Sequence, residues 1–517
     1  MDLRTVIARP ETAAGATMAR RLGPQWRLPL GVLGTLTVVR LLILPAIDLM
    51  PQSTYYAFYA AHPSLSYFDH PPMVAVMIRA MTSWLGATTV AVRLSAFLTT
   101  VLSQLAFFDL TRMLLPRSRR AIAWTLLVSA PVITMLGLMA DPDAPLVLFW
   151  LLSLAALARA LLGDHSRWWW LVAGVAMGLA FDSKYPAVFL QLGLVLFLLL
   201  SKRHRALLRT PWPYLSLAVT HLTMLPVYIW NLRNGMASFA FQSLDRGHEI
   251  NGLALRNLAG FFLVQSFLVQ QVLFVLLLAL GWRFGRRLLA RRVVSSRVLF
   301  ILVFFLPMVV VHIGLSVFLW VKMNWVIPAW LTGILLAALA VPRARLRRHL
   351  VASGLIHAAL VITLVFWPVP ITGDDTWYGW HTLGQRVGAL SERYPEAFIF
   401  SADSYKLTSE IMFYAKIKVY ARNVLGLRGF HFDFVDDPRT LAGRDALLIR
   451  SEPKLHDSLR TAQVLERAHA FFPGGIEEMK PIVLEHQGKP VRMFRVFFCH
   501  GYRPLDEGGL RALGPGW

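Results

Sequence analysis

Residues 67–73 read Tyr67-Phe68-Asp69-His70-Pro71-Pro72-Met73, and they follow closely on the first hydrophobic helix of the chain. The stretch puts an acid, an imidazole and a rigid double proline into a short loop beside a membrane. Asp69 and His70 can handle protons or a phosphate. Pro71 and Pro72 cannot extend a helix from their N-terminal side, so they fix where the next helix begins. The rest of the chain reads as an arrangement that holds this loop at one face of a bilayer.

Outward from the loop, apolar runs long enough to cross a bilayer recur near 29–47, 90–115, 121–140, 145–162, 168–182, 186–200, 213–230, 258–281, 298–319, 325–341 and 350–368. They predict about eleven spans, the fifth and sixth being short. With 56% hydrophobic residues over 517 positions and a mean hydropathy of +0.54, the chain reads as a polytopic α-helical membrane protein. A soluble enzyme with a large core is excluded. From about Ile371 the composition becomes that of a soluble domain. Strands are expected at 397–403, 445–449, 481–485 and 491–499, a helix at 406–414, and a hairpin turn at His486-Gln487-Gly488-Lys489-Pro490. The predicted organisation is a cytoplasmic segment 1–28, a membrane domain 29–370 with a long first outer loop 48–89, and a soluble α/β domain 371–517.

The net charge of +23 lies in blocks between the apolar runs, which suits anionic lipid headgroups and argues against nucleic acid. Arg117, Arg119 and Arg120; Lys202, Arg203, Arg205 and Arg209; Arg283, Arg286, Arg287, Arg291 and Arg292; and Arg343, Arg345, Arg347 and Arg348 fall in alternate loops. With the N-terminal Arg4, Arg9, Arg20, Arg21 and Arg27 inside, all of these blocks fall inside. An odd number of spans then places the C-terminal domain outside, periplasmic in a bacterial inner membrane. The run Leu28–Ile47 follows those arginines with no small-residue cleavage site, so it is read as a retained helix. The single cysteine, Cys499, excludes an internal disulfide and a cysteine-based zinc site.

Asp48, Asp69, Asp141, Asp143, Asp182, Asp245 and Glu249 fall in or beside the outer loops. Carboxylates near bilayer depth are costly and face a cavity or a partner, so a polar, catalytically equipped outer cavity is expected. Tyr55, Tyr56, Phe58 and Tyr59 suit short interfacial helices in the first loop, where each tyrosine taken singly reads as aromatic belt. Ala140-Asp141-Pro142-Asp143-Ala144-Pro145 marks a helix start, where an acid can be a cap facing the positive dipole end. Asp182-Ser183-Lys184-Tyr185-Pro186 breaks two short runs, and its Lys184 either snorkels or binds a phosphate. Trp230, Asn231 and the amides up to Gln242, with Arg246 and His248, and then Lys322-Met323-Asn324-Trp325, supply further polar groups to the same face. Arg40 and Arg93 are intramembrane cations that need partners. No phosphate loop, H-E-x-x-H or G-x-S-x-G motif occurs, which excludes ATP hydrolysis within the chain.

Taken in order, YYAFYAAHPSLSYFDHPPM (55–73), ADPDAPLVLFW (140–150), GLAFDSKYPAV (178–188), LPVYIWNLRNGMASFAFQ (225–242), VKMNWVIPAW (321–330) and ADSYKLTSEIMFY (402–414) resemble bacterial membrane glycosyltransferases related to protein O-mannosyltransferases and the lipid A aminoarabinose transferase. The resemblance implies a GT-C fold, a polyprenyl-phosphate sugar donor and transfer on the extracytoplasmic side to a glycolipid, glycan or protein. Where that family carries an acidic pair before the two tyrosines, this chain has Gln52-Ser53. The expected base is Asp69, then Asp143, with Asp48 a substitute for the missing acid. Lys184, with His70 or Arg93, is expected to neutralise the departing phosphate. Tyr55, Tyr56, Asp141, Trp230, Asn231 and Lys322 are expected to line the substrate site. Attack opposite the phosphate would invert the anomeric centre. No resident cofactor is required, although Asp69, His70 and Asp143 offer donors for a divalent cation. The rival readings are a lipid-linked-sugar transporter using the same charges and a non-catalytic polyprenyl-lipid scaffold, the latter favoured by Gln52-Ser53.

Overall fold

The computed structural model describes residues 24–163, 166–245, 252–290, 292–366, 374–452, 455 and 458–513. The expectations placed on Arg4, Arg9, Arg20, Arg21, Arg246, His248, Glu249, Arg291 and the boundary at 370/371 lie outside the described residues.

The helices are α1 (Arg27–Ile43), α2 (Pro51–Ala61), α3 (Met73–Leu85), α4 (Thr89–Leu114), α5 (Arg117–Val128), α6 (Pro131–Leu138), α7 (Asp143–Leu162), α8 (Trp168–Phe181), α9 (Val188–Leu200), α10 (Trp212–Thr223), α11 (Leu225–Arg233), α12 (Ala237–Ala240), α13 (Leu255–Val269), α14 (Gln271–Leu289), α15 (Ser296–Leu315), α16 (Ile327–Ala340) and α17 (Arg343–Val361). Their boundaries follow from local chemistry. Pro51 and Pro131 open α2 and α6, Thr88 caps α4 by accepting from the Ala91 N–H at 3.1 Å, and α3 begins at Met73 directly after the double proline. Gly174 and Gly178 of α8 face α10 so closely that a Cβ would lie 2.6 Å from the Ser216 carbonyl and 2.4 Å from Thr223 Cβ. This small-residue seam lets two short helices pack backbone to backbone.

Among the described residues, α4, α7, α15, α16 with its preceding turn, and α17 with its continuation are each long and apolar enough to cross a membrane. The pairs α5–α6, α10–α11 and α13–α14 qualify only together and bend by 56°, 47° and 112°. The span expected at 258–281 is therefore corrected to a broken pair. It breaks at Gln270, whose φ is +74°, and α13 and α14 run nearly at right angles. The fifth and sixth runs are the shorter apolar helices α8 and α9.

The basic blocks gather at one end of the bundle, where Arg119 donates to the Val341 carbonyl and Arg343 to the Ser118 carbonyl. Residues from Trp380 onward lie at the opposite end. There α18 (Trp380–Arg393), α19 (Tyr405–Ala415), α20 (Ser458–His469) and α21 (Glu507–Ala512) accompany strands β1 (Phe398–Ser401), β2 (Val419–Tyr420), β3 (Ala446–Glu452), β4 (Ile476–His486) and β5 (Lys489–Cys499). The sheet order is β2-β1-β3-β5-β4, with β2, β1 and β3 parallel and β5 antiparallel to both β3 and β4. Gln487 and Gly488, both at positive φ, close the β4–β5 hairpin.

The sheet unit docks on the first outer loop by specific contacts. Asp48 Oδ2 accepts from the His381 N–H at the start of α18 (3.2 Å), Gln52 donates to Asp375 (2.7 Å), and Tyr414 accepts from the Leu49 N–H (2.7 Å). Two expectations are corrected here. Asp48 caps α18 and joins two parts of the fold, so it is not placed as a substitute base. The Arg93 guanidinium donates to the carbonyls of Leu44, Ile47 and Asp48, holding the chain just after α1, and is not placed to meet a phosphate.

On α19, fully buried Glu410 lies close to the same junction. Its carboxyl is held well above the usual range by burial first and by the Asp48 charge second. A carboxyl whose folded value is raised contributes stability below its unfolded value and loses it as pH rises. The thermal stability of the protein is accordingly expected to fall as pH climbs above about 5, and Glu410→Gln should flatten that slope in a melting series. A slope unchanged by the substitution would assign the effect elsewhere.

Candidate active site

Tyr55 and Tyr59 lie one helical turn apart on α2 and so share a face. Their hydroxyls are 3.0 Å apart, and both lie within hydrogen-bond distance of Asp69 Oδ1, that of Tyr55 at 3.1 Å. Both rings are fully buried, and Tyr56 beside them is 5% exposed. The aromatic-belt reading of these tyrosines is thus corrected, because α2 is covered by α19 and α3 and does not face lipid headgroups. Burial, followed by the Asp69 charge, pushes all three phenols well above their ordinary range, so they remain protonated donors.

The other sequence motifs converge on this loop. Gln242 donates to the Asp69 carbonyl (2.6 Å), and the Met73 N–H donates to the Asp182 carbonyl (2.9 Å), tying the 69–73 loop to the 182–185 loop. Lys184 Nζ lies 2.8 Å from each Asp143 oxygen, and Asn324 donates to Asp143 Oδ2 at 2.6 Å. Asp143 is fully buried and Lys184 is 6% exposed. Asp141 Oδ1 accepts from the Asp143 N–H (3.2 Å), and burial, with Asp143 as the next cause, raises the Asp141 carboxyl. Tyr185 shares a 2.5 Å hydrogen bond with Ser238. The His70 ring lies edge-on to Tyr56 at 5.6 Å.

Several expected roles change with this geometry. Asp143 has both oxygens engaged by Lys184 and is a counter-ion, not a poised base. Asn231 accepts from the Ser238 and Phe239 N–H groups and donates to the Val227 carbonyl, so it builds the turn after α11, with one amide N–H beyond these three bonds. Lys322 is exposed, and Asn324, two residues on, donates to Asp143. Among the described residues no three His, Cys, Asp or Glu side chains form a cation cage, so Asp69, His70 and Asp143 do not assemble the divalent site their chemistry allowed.

The sheet unit supplies residues that sequence reasoning missed. Phe430–Phe434 forms a short 3-10 turn whose His431 is 3% exposed. The His431 N–H donates to Tyr55 Oη (3.1 Å), and its Nδ1 accepts from the Phe68 N–H (3.4 Å). Tyr59, Tyr67 and Phe434 surround the imidazole, and burial lowers it to about 3, so it is neutral. Tyr405 packs on Tyr55 at 4.3 Å. Tyr59 was legible as the i+4 partner of Tyr55, whereas the aromatic run at 430–434 carried no sign of its target. His431→Phe keeps a ring but strands the Phe68 N–H, and is expected to cost about 1–3 kcal/mol. His431→Asn, which keeps an acceptor near Nδ1, should recover most of it in thermal unfolding. Equal losses in the two variants would mean that shape alone matters.

The family model for dolichyl-phosphate-mannose-protein mannosyltransferase matches residues 69–230. The lipid A galacturonosyltransferase RgtD of Rhizobium johnstonii is 26% identical over 349 residues, covering 65% of this chain and 70% of that protein. Crystal structures of ArnT from Cupriavidus metallidurans, in the apo state and bound to undecaprenyl phosphate, superpose with a TM-score of 0.61 at 15% identity, covering 90% of this chain and 97% of theirs. The oligosaccharyltransferase AglB of Archaeoglobus fulgidus gives a TM-score of 0.51 at 12% identity, covering 93% of this chain and 75% of that one. The chain has the GT-C fold and resembles the ArnT and protein mannosyltransferase families of membrane glycosyltransferases.

Proposed function

We propose that the protein transfers a sugar from a polyprenyl-phosphate-linked donor to lipid A or a closely related envelope glycolipid, on the periplasmic side of the inner membrane. The observation that carries this reading is the convergence of Asp69 with its two tyrosines, the Asp143–Lys184 pair and Asn324 at the end of the bundle away from the arginine blocks. The lipid A transferase among its relatives and the undecaprenyl phosphate bound by ArnT supply the acceptor and donor classes. The helix count expected from the sequence and the α/β character of the C-terminal domain belong to the same reading.

In this mechanism the acceptor hydroxyl oxygen bonds to the anomeric carbon while the bond from that carbon to the phosphate oxygen breaks. Asp69 takes the hydroxyl proton, and polyprenyl phosphate departs with the bonding pair. Attack opposite the leaving group inverts the anomeric centre. Lys184 has three N–H donors, of which Asp143 uses two, leaving one for the phosphate. His70, on the same loop as Asp69, is the second phosphate ligand. The place of the family's acidic pair is taken by Gln52, which is bonded to Asp375, so the proton acceptor is assigned to the 67–73 loop.

The test is mass spectrometry of envelope glycolipids from a deletion strain, complemented with wild type. Loss of one sugar mass from the lipid A fraction on deletion, restored by wild type, is expected. An unchanged glycolipid profile would sink the reading.

A further inference from the structure

Resting on that reading, we propose that a cavity beside the site, floored by Trp230 and rimmed by Arg233, holds a phosphate-bearing sugar of the acceptor headgroup. The cavity has a volume of about 660 Å³, opens to the surface, and is lined by Pro63, Ser64, Leu65, Trp230, Arg233 and Asn234. That volume is ample for one or two pyranose units, within the range of ordinary ligand sites.

Its chemistry is that of an anionic sugar site. Trp230 is 6% exposed and packs on Phe434 at 5.2 Å with the rings tilted by 51°, so the small part of it that lines the cavity is a fixed apolar floor. Asn234 donates to the Trp230 carbonyl at 2.8 Å, which fixes its amide at the rim. Arg233 is exposed and, among the described residues, has neither an acidic partner nor a carbonyl acceptor. Two other arginines of the first outer loop and α4 are committed instead, Arg79 to the Ala60 carbonyl and Arg93 to three carbonyls after α1. An uncommitted guanidinium at the mouth of a cavity suits bidentate binding of a phosphate.

The cavity is one layer of side chains from the reacting groups. Trp230 contacts His431 at 6.4 Å between ring centroids, and His431 accepts from the N–H of Phe68, the residue before Asp69. On the same helix, Asn231 holds the turn whose Ser238 bonds Tyr185, the neighbour of Lys184. A headgroup seated on Trp230 is thereby positioned to offer a hydroxyl towards the 67–73 loop, while the donor phosphate occupies Lys184.

The experiment uses the full-length protein in nanodiscs with polyprenyl-phosphate-linked sugar, and compares bis-phosphorylated lipid A with its dephosphorylated form. Arg233→Gln is expected to raise KM for the phosphorylated acceptor by about tenfold to a hundredfold. Arg233→Lys should recover part of this, and KM for the donor and for the dephosphorylated acceptor should stay within about twofold. Phosphatidylglycerol added to the nanodiscs should not compete; competition would assign the site to bulk phospholipid and overturn the proposal. Equal KM values for wild type and Arg233→Gln would overturn it as well, with the transferase reading intact. Absence of transfer by wild type to either acceptor would overturn the transferase reading itself. A direct binding arm, native mass spectrometry of lipid A on the same variants, guards against misfolding: binding of the phosphorylated form by wild type but not by Arg233→Gln is required.

Discussion

Asp69→Asn lowers the rate of sugar transfer by about 10²–10⁴-fold, the usual contribution of a positioned general base, while the protein folds and binds its donor almost normally. The asparagine is nearly isosteric and keeps an oxygen for the Tyr55 and Tyr59 hydroxyls, so the buried hydrogen bonds that fix the loop survive. What is lost is the ability to take up the acceptor proton. Tyr55→Phe makes the contrast. It removes the hydroxyl that links Asp69 to the His431 N–H, so the carboxylate stays but loses its alignment, and a smaller loss is expected. The measurement is single-turnover transfer with both substrates saturating, alongside melting temperatures for each variant. If Asp69→Asn turns over at the wild-type rate, the base lies elsewhere. Asp141, raised by burial and bonded to the start of α7, is then the next carboxyl to replace.

Much of this arrangement was legible in the sequence because it depends on quantities that composition carries. The apolar runs, the arginine blocks and the double proline before Met73 each act locally, and the helices follow them. The ordered motifs also met in space, since Asp69, Asp143, Lys184 and Gln242 come from four of them. What could not be read was the identity of each partner. Arg93 reads as an intramembrane cation in need of a partner and was assigned a phosphate, but its partners are backbone carbonyls, which leave no trace in side-chain patterns. Asp48 looked like a spare acid, but it caps a helix more than 330 positions away. The bend at Gln270 involves neither proline nor glycine, so nothing in the apolar run 258–281 marked the break. Above all, α2 was read as facing headgroups, because nothing in its own residues announces that α19 and the turn carrying His431 will cover it.

The Asp143–Lys184 pair gives the second large effect. Removing one partner of a buried ion pair strands the other and costs about 3–5 kcal/mol, more than losing a surface pair. Lys184→Met is therefore expected to destabilise the protein by that order, because Asp143 would be left with Asn324 as its polar side-chain contact. Asp143→Asn strands Lys184 instead, and here the two variants part. A donor phosphate in the site can neutralise Lys184 but not Asp143. Undecaprenyl phosphate is accordingly expected to raise the melting temperature of Asp143→Asn more than that of wild type, and to leave Lys184→Met unmoved. The double variant, with neither charge, should regain stability in the absence of lipid and still transfer nothing. A lipid-induced shift in Lys184→Met equal to that of wild type would show that the phosphate sits away from Lys184. The pair would then be a structural tie between the α7 start and the 182–185 loop, and His70 would be left as the phosphate ligand. The opposite pattern, with the shift confined to proteins that keep Lys184, makes the lysine a shared ligand. Asp143 then holds it in place before the donor arrives, and the phosphate competes for its charge afterwards.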